Sequence, residues 1–319
     1  MNNISPIDGR YKENVSELEG YFSEQALMRY RIMVEVEYLL SLVELKSFHK
    51  KRSLSKKTLS SLRSLYTEFS DKDFKQIKKI ESKTNHDVNA VVVFISEKLE
   101  KISRKDLIPL VHFGLTSEDI NNTAYSLMTK GATKNIMVPA IKNVLKELKK
   151  LARRTKSLPM LSLTHGQPAT TTTLGKELAV FISRIERELV LISEINLLAK
   201  FSGATGSYAA HKAAFPAANW SVFAKKFIKR LGLGQSPITS QVEPGDSIAE
   251  LLHSYVRINN ILSDFSLDMW LYISRNIFVQ KNVSGEVGSS TMPHKINPIF
   301  FENAEGNLDV ANNLSLIHI

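Results

Sequence analysis

The segment from Gly285 to Pro298 combines the residue types that a site for negative charge requires. Its glycines, among them Gly288, allow unusual backbone angles and the close approach of a ligand. Ser289 and Ser290 supply hydroxyls and backbone N–H donors, which are the groups that form an oxyanion-binding cradle. Lys295 adds a cation that can meet a carboxylate. The segment therefore predicts a loop that closes over a substrate and stabilises developing negative charge.

Three histidines are candidates for proton transfer, because imidazole has the side-chain pKa nearest to neutrality. His165 lies among Gly, Pro and hydroxyl residues, ahead of a helix that begins near Leu174. His86 precedes Asp87, a carboxylate that can orient an imidazole or raise its pKa. His112 also precedes a polar run. Each of the three suits an acid or a base.

The same segments also fit structural roles. Thr84 or Asn85 can cap the helix that follows them. The run Ser117, Glu118 and Asp119 is equally a signal for the start of a helix. A histidine beside Gly and Pro can likewise hydrogen-bond a helix end. Because a cap and a binding site are compatible, both interpretations stay open.

A metal centre is not predicted. The chain contains no cysteine, which excludes thiolate ligands and disulfides. The histidines show no HxxxH or HExxH spacing. We therefore expect a site without a metal ion.

Long amphipathic helices must position these groups. Apolar residues recur every three or four positions from Ile136 to Leu151, from Leu174 to Leu198 and from Ile248 to about Arg275. Helices of this length need partners along their whole apolar stripe, which predicts an all-α fold with a long helical bundle and no strands. Polar, Gly- and Pro-bearing connections interrupt them, and such connections tend to carry binding residues.

The composition excludes several classes of protein. With 43% apolar and 23% charged residues, the 319-residue chain has an ordinary globular profile. Its net charge is +10, but its basic runs are short and only Phe227 is interleaved with them, so nucleic-acid binding is not predicted. The N-terminus lacks signal-peptide features, and the stretch between Lys156 and Lys176 is too polar for a membrane span. We expect a cytoplasmic protein without nucleic-acid or membrane partners.

The loop resembles the signature of a known superfamily. Gly288 to Asn297 matches GSSxMPxKxN at every fixed position, the pattern of the fumarase/aspartase superfamily. Within it, the segments Ser5–Tyr11, Thr84–Val88 and Thr164–Thr170 resemble the adenylosuccinate lyase family. The likeness runs from Ser5 to about Leu308.

The resemblance implies a carbon–nitrogen lyase of purine and AMP biosynthesis. It would release fumarate by anti-elimination from adenylosuccinate, giving AMP, and from succinyl-carboxamide imidazole ribotide. By likeness to the family, Ser289 is the base and His165 the acid, whereas the residue chemistry alone makes His86 a rival. The resemblance also implies no cofactor, a small-molecule nucleotide substrate and a homotetramer with shared active sites. The implied substrate contacts are Arg10, Tyr11, Asn85, His86, Asp87, Thr116, Ser117, Gln241, Ser290, Lys295 and Asn303.

The resemblance also suggests a domain organisation. Residues 1–111 would form an N-terminal helical domain with substrate-binding segments, and residues 112–319 an incomplete central bundle that carries the loop at 285–298. Family members continue beyond this point, so we expect a chain that lacks its C-terminal domain. Such a chain would expose apolar bundle surface, aggregate and have weak activity.

Two other functions stay open at this stage. The first is another lyase or cycloisomerase of the same superfamily, because the signature loop specifies the reaction type and not the substrate. The second is a non-catalytic helical protein that binds a partner or RNA, which would tolerate the loss of Ser289 or His165.

Overall fold

The computed structural model describes residues 4–45, 54–281, 292 and 295–317, and helices make up most of them. The helices are α1 (Lys12–Val15), α2 (Glu19–Phe22), α3 (Glu24–Val43), α4 (Lys56–Thr67), α5 (Asp71–Thr84), α6 (Asp87–Lys101), α7 (Ser117–Ala132), α8 (Val138–Arg154), α9 (Leu174–Glu194), α10 (Ala209–Ala214), α11 (Trp220–Arg230), α12 (Asp246–Ser274) and α13 (Ile299–Ile317). Two 3-10 turns (Ser16–Leu18 and Lys105–Leu110) and a π turn (Thr133–Met137) join some of them.

The chain forms two compact units. One contains residues 1–137 and 196–245, and the other residues 138–195 and 246–319. Each unit is therefore built from two separate stretches of the chain. The domain boundary predicted after residue 111 does not coincide with an edge of either unit. The assignment of residues 1–111 and 112–319 to two domains stays a prediction.

The first unit is organised around α3. Ser23 caps this helix, because its hydroxyl accepts a hydrogen bond from the backbone N–H of Ala26 (3.1 Å). Val34, Tyr38 and Leu42 are fully buried in the middle and end of the helix. The helix packs against α4, α6 and α7. A helix enclosed by neighbours needs apolar residues all round, which is why α3 shows little amphipathic periodicity.

The second unit is a bundle in which α9 packs against α8 and α12, and α12 packs against α13. The three long helices predicted from periodicity are confirmed as α8, α9 and α12. Leu178, Ile185 and Leu251 lie buried on their apolar stripes. The bundle stabilises each helix along its length, since isolated helices gain little stability from propensity alone.

The prediction of a fold without strands is wrong at one place in this unit. Strands β1 (Pro159–Thr164) and β2 (Gln167–Thr173) form an antiparallel hairpin. The threonines of β2 favour extended backbone, because a branched β-carbon fits a pleated strand better than a helix. In the first unit, β3 (Leu198–Ala199) and β4 (Gly234–Gln235) make a short parallel pair.

Candidate functional site

The hairpin presents His165 at its tip. Thr164 pairs with Gln167, so His165 and Gly166 form a two-residue turn, and both have positive φ (52° and 70°). Tight hairpin turns of this kind require positive φ at both central residues, which glycine adopts freely and histidine only occasionally. The side chain of His165 is exposed. Arg275, just after α12, donates from Nη1 to the carbonyl of Gly166 (2.5 Å) and ties the tip to its own unit.

Residues Asn85, His86 and Asp87 form the junction between α5 and α6. Asn85 ends α5 in a left-handed conformation (φ 51°). His86 caps α6, since its Nδ1 accepts from the backbone N–H of Asn89 (3.2 Å). The cap is thus His86 and not Thr84 or Asn85, because the turn at Asn85 places the imidazole at the helix start.

Asp87 is held by a buried arginine. Arg31, which is 3% exposed on α3, lies 2.6 Å from the carboxylate of Asp87 and also donates to Asn121 (2.9 Å). Burial raises the pKa of Asp87, but the charge and hydrogen bond of Arg31 together with the N–H of Val88 and the nearby His86 outweigh it, and the net pKa is lowered. An open cavity beside this pair is lined by Lys78, Glu81, Ser82, Asn85 and Asp87. This cavity has the mixed charges that a polar ligand requires.

The loop before α7 is bound to α3 through Glu35. The carboxylate of Glu35, which is 1% exposed, lies 2.5 Å from Nδ1 of His112 and accepts the backbone N–H of His112 (3.2 Å). Desolvation has the largest single effect on the pKa of His112 and lowers it, but the hydrogen bond to Glu35 and the charges of Glu35 and Asp119 together outweigh it, and the net pKa is raised. These contacts favour the protonated form of His112, which lies on the chain just before Thr116 and Ser117.

α7 begins at Ser117, in the run predicted to start a helix, and its N-cap is the preceding residue, Thr116. Its backbone N–H donates to Asp119 three residues later (2.9 Å), which is the return bond of a capping box. The amide of Gln241 donates to the hydroxyl of Thr116 (3.4 Å). Two predicted substrate contacts that are far apart in the sequence are thus neighbours within one unit, while Ser117 follows at the first helical position.

Two further predicted contacts lie near the N-terminus. Residues 5–11 form consecutive turns, closed by hydrogen bonds from the N–H groups of Asp8 to Ser5 (3.1 Å) and of Tyr11 to Pro6 (2.9 Å). The guanidinium of Arg10 lies 5.7 Å from the ring centre of Tyr11. The guanidinium is exposed, which leaves it open to an anion.

The signature loop is only partly described. Ser289 and Ser290 lie outside the described residues, so their predicted roles stay predictions. Lys295 is exposed, and its backbone N–H donates to Met292 (3.0 Å). Asn303 lies in the first turns of α13, where its side-chain oxygen accepts from Asn307 (2.6 Å).

Sequence reasoning missed the buried polar groups that support these segments. They are Arg31, Glu35 and, at the start of α7, the ion pair between Asp119 and Lys200, which is 2.8 Å long and wholly buried. The one available signal was a polar stripe on α7 at helical spacing, but a polar stripe normally indicates a solvated face. Only the packed partners show that this stripe is buried.

The described residues contain neither a metal-binding group nor a membrane-spanning helix. No group of three or more His, Asp or Glu side chains there is placed to hold a metal ion. No helix in that part of the chain is long and apolar enough to cross a membrane.

Comparison with known proteins shows which chains share this sequence and fold. A family model described as "Lyase" matches residues 9–311. The adenylosuccinate lyase of Dictyostelium discoideum is 48% identical over 98% of this chain, and that of Escherichia coli (strain K12) is 44% identical over 97%. The chain spans 68% of the length of each of these two relatives. The expectation that a C-terminal domain is missing is not confirmed by these matches.

Solved structures support the fold alone. A fumarate lyase from Mesorhizobium sp. BNC1 aligns with a TM-score of 0.73 and 20% identity, over 94% of this chain and 64% of that one. The beta-carboxy-cis,cis-muconate cycloisomerase of Acinetobacter calcoaceticus sp. ADP1 aligns with a TM-score of 0.70, also at 20% identity, over 94% of this chain and 65% of that one. The expected fumarase/aspartase-like helical fold is confirmed.

Proposed function

The chain belongs to the adenylosuccinate lyase family, and from that premise we propose that it releases fumarate from adenylosuccinate. The observation that carries the proposal is the match to adenylosuccinate lyases over nearly all of this chain at 41–48% identity. Since the chain spans about two thirds of those relatives, its activity is argued from the residues it contains.

The reaction breaks a C–H and a C–N bond, and it forms the C=C double bond of fumarate and an N–H bond on the leaving group. A base removes a proton from the succinyl carbon next to a carboxylate, and the electron pair forms the double bond of fumarate. The bond from the neighbouring carbon to nitrogen breaks, and an acid protonates the departing amine to give AMP. The same elimination applies to succinyl-carboxamide imidazole ribotide, because its succinyl group is also attached through nitrogen. Atoms and charge balance without any cofactor.

We assign the acid to His165 and the base to Ser289. The exposed position of His165 at the hairpin tip suits a group that must reach a substrate. A serine hydroxyl is a weak base and needs nearby donors or a cation, a part that Lys295 suits. Ser290 and Asn303 belong to the same proposed set of contacts.

The first unit would supply further substrate contacts. Arg10 and Tyr11 suit the phosphate, because a guanidinium binds phosphate oxygens in pairs. Thr116, Ser117 and Gln241 suit a succinyl carboxylate, because they supply hydroxyl and amide donors. Asn85, His86 and Asp87 complete the set at the α5–α6 junction, where Arg31 holds Asp87.

We infer a homotetramer with shared active sites in the cytoplasm, on the strength of the family resemblance. Light scattering coupled to gel filtration tests the assembly, and a monomer that retains full activity would contradict it.

Fumarate release, followed by absorbance with adenylosuccinate as substrate, tests the function. We expect turnover by the chain and a fall in kcat of about 10²–10⁴-fold in His165→Ala, the usual loss for a general acid. His253→Ala is the matched control, because His253 is also exposed and lies on α12 in the same unit.

Other outcomes would select another function. Turnover of a different succinyl substrate, with none of adenylosuccinate, would place the chain elsewhere in the superfamily. Salt-sensitive RNA binding that is unchanged in His165→Ala, without any turnover, would favour a non-catalytic protein.

A further inference from the structure

We propose that the buried ion pair of Asp119 and Lys200 is a positioning device that holds the Thr116–Ser117 segment and the segment around Gln241 in the geometry that binds substrate. The inference rests on the proposed function for its kinetic test, but its structural part is independent of that function. Neither residue belongs to the set of substrate contacts, and both side chains are 0% exposed.

Asp119 is the acceptor for several donors at once. Its carboxylate lies 2.8 Å from Nζ of Lys200 and accepts the backbone N–H groups of Ser202 (2.9 Å) and Gly203 (3.1 Å). It also accepts the N–H of Thr116 (2.9 Å). One carboxylate therefore joins the start of α7 to the loop at residues 200–203.

Lys200 is fixed along its whole length. Its Nζ donates to the carbonyl of Gly203 (2.5 Å) as well as contacting Asp119. Asn122 brackets its backbone, accepting the N–H of Lys200 (2.8 Å) and donating to its carbonyl (3.0 Å). Ser126 donates to the carbonyl of Leu198 (2.7 Å). Asp119, Asn122 and Ser126 lie three and four residues apart, so a single face of α7 clamps the strand and loop.

The same loop holds the segment that carries Gln241. The hydroxyl of Ser202 lies 3.3 Å from that of Thr239. At Gly206 (φ 74°) the loop passes so close to the Thr239 segment that a β-carbon would lie 1.9 Å from the carbonyl oxygen of Thr239. Gln241 then donates to Thr116. The contacts therefore form a closed path from Thr116 through Asp119 and back.

Stability alone does not account for this arrangement. Burying two charges costs several kcal/mol per ion, and apolar residues of the same volume often stabilise a fold as well or better. What the charged pair adds is direction, because a carboxylate with this many donors has one orientation in which all of them are satisfied. The predicted contact at Thr116 is a direct neighbour of that carboxylate.

The test uses the double variant Asp119→Asn with Lys200→Met. The double change leaves no unpaired buried charge, but it replaces by an N–H donor one of the two carboxylate oxygens that accept from Thr116, Ser202 and Gly203. We expect KM for adenylosuccinate to rise about tenfold or more, as when a hydrogen bond to a charged group is lost. Hydrogen exchange at residues 114–118 and 238–242 should become faster. Asn122→Ala keeps both charges, and it should raise KM and speed hydrogen exchange by smaller amounts. This variant replaces the double variant in the test if the double variant fails to fold.

Glu188→Gln is the matched control. Glu188 is also a carboxylate with 1% exposure and pairs with Arg257 (2.7 Å), but it lies in the other unit. It should lower the melting temperature without raising KM or speeding exchange in the two segments. A folded double variant with wild-type KM and wild-type exchange would overturn the positioning role. If the wild-type chain shows no turnover, the proposed function fails, and the exchange measurement still decides the inference.

Discussion

Acid should destabilise the first unit through His211. This residue is 2% exposed on α10. The hydroxyl of Tyr38 donates to the carbonyl of Phe113 (2.6 Å), so its oxygen is left to accept from Nε2 of His211 (2.9 Å). Nδ1 is buried and has no hydrogen-bond partner within the described part of the chain. A proton added at Nδ1 would thus create a buried cation without an acceptor.

The magnitude follows from the pKa of His211. Desolvation lowers it from 6.5 to about 4; the charge of Lys200 adds to this and that of Asp119 opposes it. Between these two pKa values the unfolded chain binds a proton that the folded chain excludes, so stability falls as pH falls from 6.5 to 4. The complete loss is about 3 kcal/mol, and roughly 2 kcal/mol of it comes between pH 7 and pH 4.5.

His112 affects stability in the opposite direction and over a different pH range. The pKa of His112 is raised, because the hydrogen bond to Glu35 and the charges of Glu35 and Asp119 together outweigh desolvation. Its contribution to stability is fully present below pH 6.5 and is lost as the pH rises through the folded pKa. The pH range in which His112 titrates therefore lies above the range in which His211 does.

Urea unfolding at pH 7 and at pH 4.5 measures the effect. Trp220 lies 4.7 Å from the ring of His211, and Trp270→Phe leaves it as the only tryptophan, so its fluorescence reports on this core. His211→Gln keeps an N–H donor for Tyr38 but does not titrate, and it should lose roughly 2 kcal/mol less than the parent on acidification. His165→Gln removes an exposed histidine and should behave as the parent. Equal losses in the parent and His211→Gln would refute the reasoning.

Two substitutions test other features of the first unit. Gly206→Ala should lower the free energy of unfolding by about 2–4 kcal/mol, because the left-handed backbone and the clash with Thr239 both oppose a β-carbon. Gly245→Ala, where φ is positive but the space around the residue is open, should lower it by only about 1 kcal/mol in the same urea unfolding experiment. Glu37→Gln should lower the free energy of unfolding by about 2 kcal/mol, because the buried carboxylate of Glu37 accepts hydrogen bonds from Arg63 (2.8 Å) and Tyr66 (2.8 Å). The exposed pair at Glu44 provides the control, and Glu44→Gln should change stability by less than about 0.5 kcal/mol.

Much of the bundle was predictable because its helices are amphipathic. Leu178, Ile185 and Ile192 are buried on one stripe of α9, at the spacing that the periodicity indicates. The start of α7 was predictable as well, since the Thr116 and Asp119 pair is local in the sequence. The superfamily signature at Gly288–Asn297 likewise indicated the reaction type without any coordinates.

Local patterns were less informative where a turn or an exposed segment was concerned. The hairpin that carries His165 is mostly exposed, so neither strand contains a buried residue and β2 shows no alternation of burial. Its turn depends on positive φ at a histidine, which the sequence does not indicate. The α6 cap was assigned to Thr84 or Asn85, and the structure assigns it to His86 because Asn85 turns left-handed.

The long helices, the class of fold and the family were predictable from the sequence, because periodicity and contiguous motifs are local properties of the chain. The support of the candidate site depends instead on packing between distant segments. Asp119 meets Lys200 only after 81 residues, and Glu35 meets His112 after 77. A buried charge is stable only with a partner, and the fold brings such distant partners together.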